Sequence, residues 1–462
     1  MSKGIDILKD DVMKVMVKLS LPLMGTAFIQ MAYSMVDLIW LGKVSTEAVA
    51  AVGSVGFFVW ISQALTLIAK TGLSVGMSQA YGKNDKKSLI SIMRSGFQVN
   101  FIIFVILTSV CIFFKKELLG IYNLEQNVEV LAMQYFEIVI LGFVFTFLSA
   151  FFSAVYYAEG NSRMPFKIST ISLVTNIVLD PVLIFGVSIF PEMGVRGAAI
   201  ATVFAQGLQI FIYLFLGKKY DEIFTKVNFF EKFDLKFFID ILKLGVPTSI
   251  TSIVHAFVGI KLNSYIAAFG SASVAAYTIG SQIESISWMS AEGFATALST
   301  IFGQNYGAGN FKRLKEARKK GLKILTYIGV FAAGLLFIFG KNIFEIFIPV
   351  DAHVIMIGAN YLKINAISEL FMCYEIGTTG MLNGLGLTKY PAINSVILNV
   401  MRIPIALMLM PILNVDGIWF AMSISSCIKG ITILLIYVYL RDKTSGFRVD
   451  MEKYVSRVKD VV

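Results

Sequence analysis

The second half of this chain repeats its first, about 225 positions later. Pro22 recurs as Pro247, Val49-Ala50-Ala51 as Val274-Ala275-Ala276, and Thr71, Leu73 and Ser74 as Thr296, Leu298 and Ser299. Gln79, Tyr81 and Gly82 return as Gln304, Tyr306 and Gly307 at the same offset. Further on the register slips: Gly160 and Pro165 pair with Gly386 and Pro391, then Asn176 and Pro181 with Asn399 and Pro404. A duplicated unit in an apolar chain predicts two membrane bundles that face each other. A binding site then lies at their interface, and rocking of the halves exposes it alternately to either side.

The chain is apolar enough for that reading. Hydrophobic residues make up 56% of the 462 and charged residues 15%, against roughly 25% charged in a soluble domain. About 20 apolar residues cross the hydrocarbon core as a helix. Twelve such runs can be read, near Val15–Leu41, Val49–Ala80, Ser91–Phe114, Val130–Tyr157, Phe166–Val187, Gly197–Leu216, Ile239–Phe269, Val274–Gln304, Leu322–Phe339, Ile355–Leu385, Ala392–Leu413 and Gly417–Leu440. They are too long and too continuously apolar for strands of a membrane barrel. The expected fold is all-α and polytopic, with twelve transmembrane helices in two pseudo-symmetric six-helix bundles. Six spans per half make the repeats parallel, related by an axis along the membrane normal.

Residues 1–216 form the first lobe on this reading, 217–240 a cytoplasmic linker, 241–440 the second lobe and 441–462 a cytoplasmic tail. The net charge of +10 is not spread evenly. Lys83, Lys86 and Lys87, the stretch from Lys218 to Lys243, that from Lys312 to Lys323, and the tail from Arg441 to Lys459 occupy alternate loops. The positive-inside rule then puts both termini in the cytoplasm of a bacterial-type inner membrane. Anionic lipid, not nucleic acid, is the expected partner of those loops. The charged stretch before the first span lacks a small-residue cleavage site and reads as a retained leader. Cys111, Cys373 and Cys427 are scattered without metal-ligand spacing. No phosphate-binding loop with a following Lys-Ser or Lys-Thr is present, nor a nucleophile or metal cluster. These features argue against an ATPase or a membrane-embedded enzyme, and a passive channel would need a filter ring from oligomeric symmetry.

A carboxylate inside a span costs about 2.5–3.5 kcal/mol on insertion scales, so each one needs a reason. Asp37 lies late in the first span, and its repeat mate is Leu262, so the duplicated scaffold does not require an acid there. Asp180 lies in the fifth span, with Asn176 one helical turn before it on the same face. Thr202 stands near the outer start of the sixth. Counting along alternating helices brings all four into the outer half of the membrane. Two carboxylates, an amide and a hydroxyl suit a coupling cation. Two carboxylates in a desolvated site do not both ionise readily and can share a proton. Oxygen-only donors equally suit a hard ion such as sodium.

The second half carries His255 and Lys261 in the seventh span, Glu284 and Glu292 in the eighth, Glu369 and Glu375 in the tenth and Arg402 in the eleventh. Glu284 and Glu292 fall about 80° apart around a helix of 3.6 residues per turn, close enough to border one cavity. Glu284, Glu292, Glu375 and His255 are the candidates for a substrate cavity, while a structural ion pair is the alternative for Glu375 and Arg402.

Met31-Ala32-Tyr33-Ser34-Met35-Val36-Asp37, followed by Gly42 and Ala48-Val49-Ala50-Ala51, resembles the first helix and turn of multidrug and toxic compound extrusion transporters. Gly303-Gln304-Asn305-Tyr306-Gly307-Ala308-Gly309 is similar to the motif closing that family's eighth helix. Asn383-Gly384-Leu385-Gly386 with Pro391 is similar to the turn after its tenth. The resemblance covers nearly the whole chain and looks closest to the DinF-like branch. There the residues matching Asp37, Asn176, Asp180 and Thr202 form a cation site, which implies antiport driven by protons or sodium. Other branches use acids in the seventh and tenth helices, and His255 departs from that pattern. The chain is therefore expected to be a monomeric antiporter that exports amphipathic, cationic organic compounds, with no cofactor beyond the coupling ion. The alternative within the same superfamily is a lipid-linked saccharide flippase, against which the acidic cavity and twelve spans argue.

Overall fold

A computed structural model describes residues 6–187, 190–220, 226–229, 231–347 and 351–443, and these contain helices but no strand. The 217–240 linker is thus described only in part, and tail residues 444–462 lie outside the described residues. The first half runs α1 (Val12–Leu41), α2 (Thr46–Lys83), α3 (Lys86–Phe113), α4 (Lys115–Gly120), α5 (Gln126–Glu159), α6 (Arg163–Phe185) and α7 (Val195–Tyr220). The second runs α8 (Leu235–Ala267), α9 (Ser271–Gly307), α10 (Phe311–Phe347), α11 (Ala352–Gly384), α12 (Lys389–Val400), α13 (Arg402–Leu413) and α14 (Asp416–Lys443). Only Met401 separates α12 from α13, so these form one interrupted span. With the short α4 set aside, each half supplies six spans, twelve in all.

Ten of the described spans are long and apolar enough to cross a membrane on length and composition. The other two, α9 and α11, have the length, at 37 and 33 residues, but carry Glu284 and Glu292 or Lys363, Glu369 and Glu375. Leu21, Phe113, Phe331, Ile346 and Met408 are exposed on the outside. A soluble protein does not keep apolar groups of this size in water over so much of its surface, whereas lipid accepts them.

Local chemistry sets the helix ends. Ser45 Oγ accepts the Ala48 N–H at 3.0 Å and starts α2, while an Asp85 carboxyl oxygen accepts the Ser88 N–H at 3.1 Å and starts α3. Between them Asn84, at φ +57°, closes α2 in the left-handed conformation. Proline lies inside α1 and α8 at equivalent places, where it removes a backbone donor. Each is followed four residues later by the same side-chain contact: Thr26 Oγ1 donates to the Pro22 carbonyl and Thr251 Oγ1 to the Pro247 carbonyl, both at 2.9 Å. The duplication is thus visible in side-chain contacts as well as in letters.

The chain divides into two compact units. One takes in residues up to Ile253 with Thr296–Ala317 and Asn383–Gly386; the other comprises Val254–Ala295, Arg318–Leu382 and the residues from Leu387 on. Within the first unit, the ends of α2 and α9 meet through repeat mates. A Cβ on Gly82 would run into the Gln304 carbonyl, and one on Gly307 into the Gln79 carbonyl. Ser78 and Gly303, also mates, face each other, with an added Gly303 Cβ falling 2.7 Å from that of Ser78.

Contacts also settle the repeat register where the sequence slips. Gly197 packs on the backbone of Leu183 and Ile184, and Gly417 on that of Leu409 and Met410. Ser172 Oγ donates to the Ala205 carbonyl, and between the equivalent positions Ser425 Oγ donates to the Leu398 carbonyl, both at 2.6 Å. α6 therefore matches α12–α13 at an offset of 226, and α7 matches α14 at 220. This corrects the pairing of Asn176 with Asn399 and of Pro181 with Pro404. The structural mate of Asn176 is Arg402.

Candidate functional site

Asp37, Asn176, Asp180 and Thr202 come together in the first unit. α1 carries Asp37, α6 presents Asn176 and Asp180 one turn apart, and α7 brings Thr202 from its second turn. Asn176 Nδ2 lies 3.0 Å from Asp180 Oδ1, 3.2 Å from Thr202 Oγ1 and 3.4 Å from Asp37 Oδ1. Thr202 Oγ1 donates to Asp37 Oδ2 at 3.2 Å. The two carboxyl groups are within electrostatic reach of each other. Asn176 and Asp180 are fully buried and Asp37 is 7% exposed.

This chemistry is unbalanced as it stands. The contacts include no basic side chain, and one amide with two hydrogens faces three oxygen acceptors. Asn176 Oδ1 and Asp180 Oδ2 are buried without a hydrogen-bond partner among the described residues. Buried acceptors of this kind are costly; a proton shared between the carboxyls offsets their charge, and a small hard cation can in addition be bound by the unpartnered oxygens. The donor set therefore fits either coupling ion.

Sequence reading missed the rest of the polar column. Tyr33, one turn before Asp37, has its Oη 2.5 Å from Ser172 Oγ, and Ser172 is one turn before Asn176. Tyr135 on α5 is buried within electrostatic reach of both carboxyls. Spacing by four from Asp37 and Asn176 is the signal that finds the first pair. Tyr135 stands on a helix with no such marker.

The acids of the second unit are held differently. Glu284 accepts from the Tyr361 hydroxyl. Glu369 Oε2 accepts from Ser287 Oγ at 2.5 Å, while its buried Oε1 has no partner among the described residues. Glu375 is ion-paired with Lys429 at 3.4 Å and accepts from Ser395 Oγ at 2.5 Å. Its salt-bridge partner is thus a lysine absent from the sequence reading, and Arg402 instead donates to Ser425 at 3.3 Å and Ser426 at 3.0 Å. Glu292 and His255 are exposed. Among the described residues no group of three or more His, Cys, Asp and Glu is placed to hold a metal ion.

Two six-span repeats, one of which encloses a buried oxygen pocket, define a polytopic membrane protein with a transporter's architecture. The sequence profile of the MatE family matches residues 22–182 and again 247–408, two stretches that begin 225 residues apart. The chain belongs to the MatE family. It is 28% identical over 443 residues to a probable multidrug resistance protein, NorM, of Thermotoga maritima, covering 93% of this chain and 92% of that one. It is also 28% identical over 427 residues to the probable multidrug resistance protein YoeA of Bacillus subtilis, covering 90% and 91%. In fold it matches the outward-facing conformation of a multidrug resistance MATE family transporter of the MOP superfamily. That match has a TM-score of 0.88 at 22% identity and covers 97% of this chain and 99% of that one.

Proposed function

We propose that this chain is an antiporter that exports amphipathic organic cations in exchange for protons or sodium ions. The observation that carries the reading is the cluster of Asp37, Asp180, Asn176 and Thr202, buried, acidic and left with unpartnered oxygens. The names of its relatives support multidrug compounds as cargo. A cation taken from outside neutralises the single negative charge that the two carboxyls hold when they share one proton, and the packing of α1 against α6 changes in response. The organic cation leaves outward, and rocking of the halves returns the pocket to the cytoplasm. Glu284, Glu292 and His255 line the path of the organic cation, the acids favouring positive charge. The protein works as a monomer in an inner membrane, with its termini and basic loops on the cytoplasmic side against anionic lipid.

The test is efflux of a fluorescent organic cation from vesicles under separately imposed proton and sodium gradients. Asp37→Asn should abolish gradient-driven efflux, and Asp180→Asn should impair it similarly. Wild-type rates in Asp37→Asn would remove the coupling role.

A further inference from the structure

The two halves build one three-helix contact from different chemistry. In the first, Gln209 on α7 donates its amide to Ser149 on α5 at 3.0 Å and to Ser169 on α6 at 3.4 Å. α5 matches α11 at 226 as well, since Ala158 and Gly384 accept from the mates Gln304 and Gln79, so the mates of Gln209, Ser149 and Ser169 are Lys429, Glu375 and Ser395. Lys429 on α14 lies 3.4 Å from the Glu375 carboxylate on α11, and Ser395 on α12 donates to the same group at 2.5 Å. A neutral triad has become a salt bridge whose side chains are only 7% and 12% exposed. The fold does not need that charge, because the first half packs the same three helices without it. Removing two charges from water is itself costly, so a buried pair is weak evidence of a scaffold role.

The same register shows what became of the oxygen pocket. The mates of Asp37, Asn176, Asp180 and Thr202 are Leu262, Arg402, Ala406 and Met422. Leu262 and Ala406 are buried in an apolar cluster, with Met422 packed against it. Arg402 is within electrostatic reach of Glu375 and Glu284, and Lys429 of Glu375, Glu284, Arg402 and His255. This half thus has carboxylates and two fixed cations, where the first has carboxylates and none among its pocket contacts.

We propose that Lys429 is a tethered cation. Its ammonium permanently fills the place beside the Glu375 carboxylate and Ser395 hydroxyl that a mobile monovalent ion would otherwise take. This half therefore takes up no ion there, and removing the ammonium turns Glu375 into a site for sodium or a small alkylammonium.

Thermal unfolding of the purified full-length protein tests this, in sodium, methylammonium and choline chloride at equal ionic strength. Lys429→Gln should unfold several degrees higher in sodium or methylammonium than in choline, beyond any response of the wild type. Lys429→Gln/Glu375→Ser, which rebuilds the neutral triad of the first half, should fold and lose that added response. Adding Asp37→Asn to Lys429→Gln should leave the response in place, which separates it from the first-half pocket. A Lys429→Gln response equal to the wild type's overturns the proposal, as does an equal response in the double variant. Failure of Lys429→Gln to fold in any of the salts, with or without a folded double variant, also overturns it, because a free cation then cannot replace the tethered one.

Discussion

Gln79 and Gln304, mates in the repeat, donate their side-chain amides to mated carbonyls: Gln79 to Gly384 at 3.0 Å and Gln304 to Ala158 at 2.7 Å. The chain thus makes one contact twice, each half serving once as donor and once as acceptor. Each bond should stabilise the folded state by about 1 kcal/mol. Gln79→Ala and Gln304→Ala should lower the melting midpoint of the purified protein by similar amounts. A double-mutant cycle should show coupling between them, since both sit on the contact between α2 and α9.

Substitution at the same contact separates space from helix propensity. Gly82→Ala and Gly307→Ala each drive a methyl group into a carbonyl and should cost about 1–3 kcal/mol, the usual range for overpacking. Gly53 lies in the same helix as Gly82, yet an added Cβ meets nothing within 4 Å. Gly53→Ala should therefore stabilise by about 0.5–1 kcal/mol through helix propensity alone. Thermal unfolding of the three variants gives the comparison directly.

Thr202 both donates to Asp37 and stands within hydrogen-bonding distance of the Asn176 amide. Thr202→Val keeps the shape but strands a buried acceptor and donor, a loss of about 1–3 kcal/mol. Half-maximal coupling-ion concentration for efflux should rise by about tenfold or more, whereas Thr202→Ser should stay close to wild type.

Ion identity can be read from stability. A ligand at about 100 times its Kd raises stability by about 2.7 kcal/mol through linkage. A sodium titration at fixed pH and ionic strength should raise the wild-type melting midpoint if sodium loads the pocket, and leave Asp37→Asn unmoved. A pocket loaded only by protons gives no sodium-specific rise in either protein.

The helical frame was readable because apolar runs of membrane length survive every local irregularity. The pocket was readable because Asp37 and Asp180 are conspicuous in such runs, and because Asn176 precedes Asp180 by one turn. The repeat register beyond Pro165 was not. The asparagine and proline at Asn399 and Pro404 recur three residues away from the true mates of Asn176 and Pro181, where chain contacts and not residue identity keep the correspondence. Lys429 was not singled out, because one basic residue in an apolar span says nothing of its partner. Its meaning depends on α14 being folded against α11, which places it 3.4 Å from Glu375, 54 residues earlier. Glu284 is similar, since its Tyr361 partner lies on another helix.

Where Gly82 and Gly307 meet the Gln304 and Gln79 carbonyls, backbone touches backbone, and the glycines bring no side chain that could stretch as the helices part. A seam of that kind acts as a detent. A gap of about 0.5–1 Å already forfeits a quarter to a half of the dispersion attraction, so the joint is either seated or released, with little room for a half-open stop.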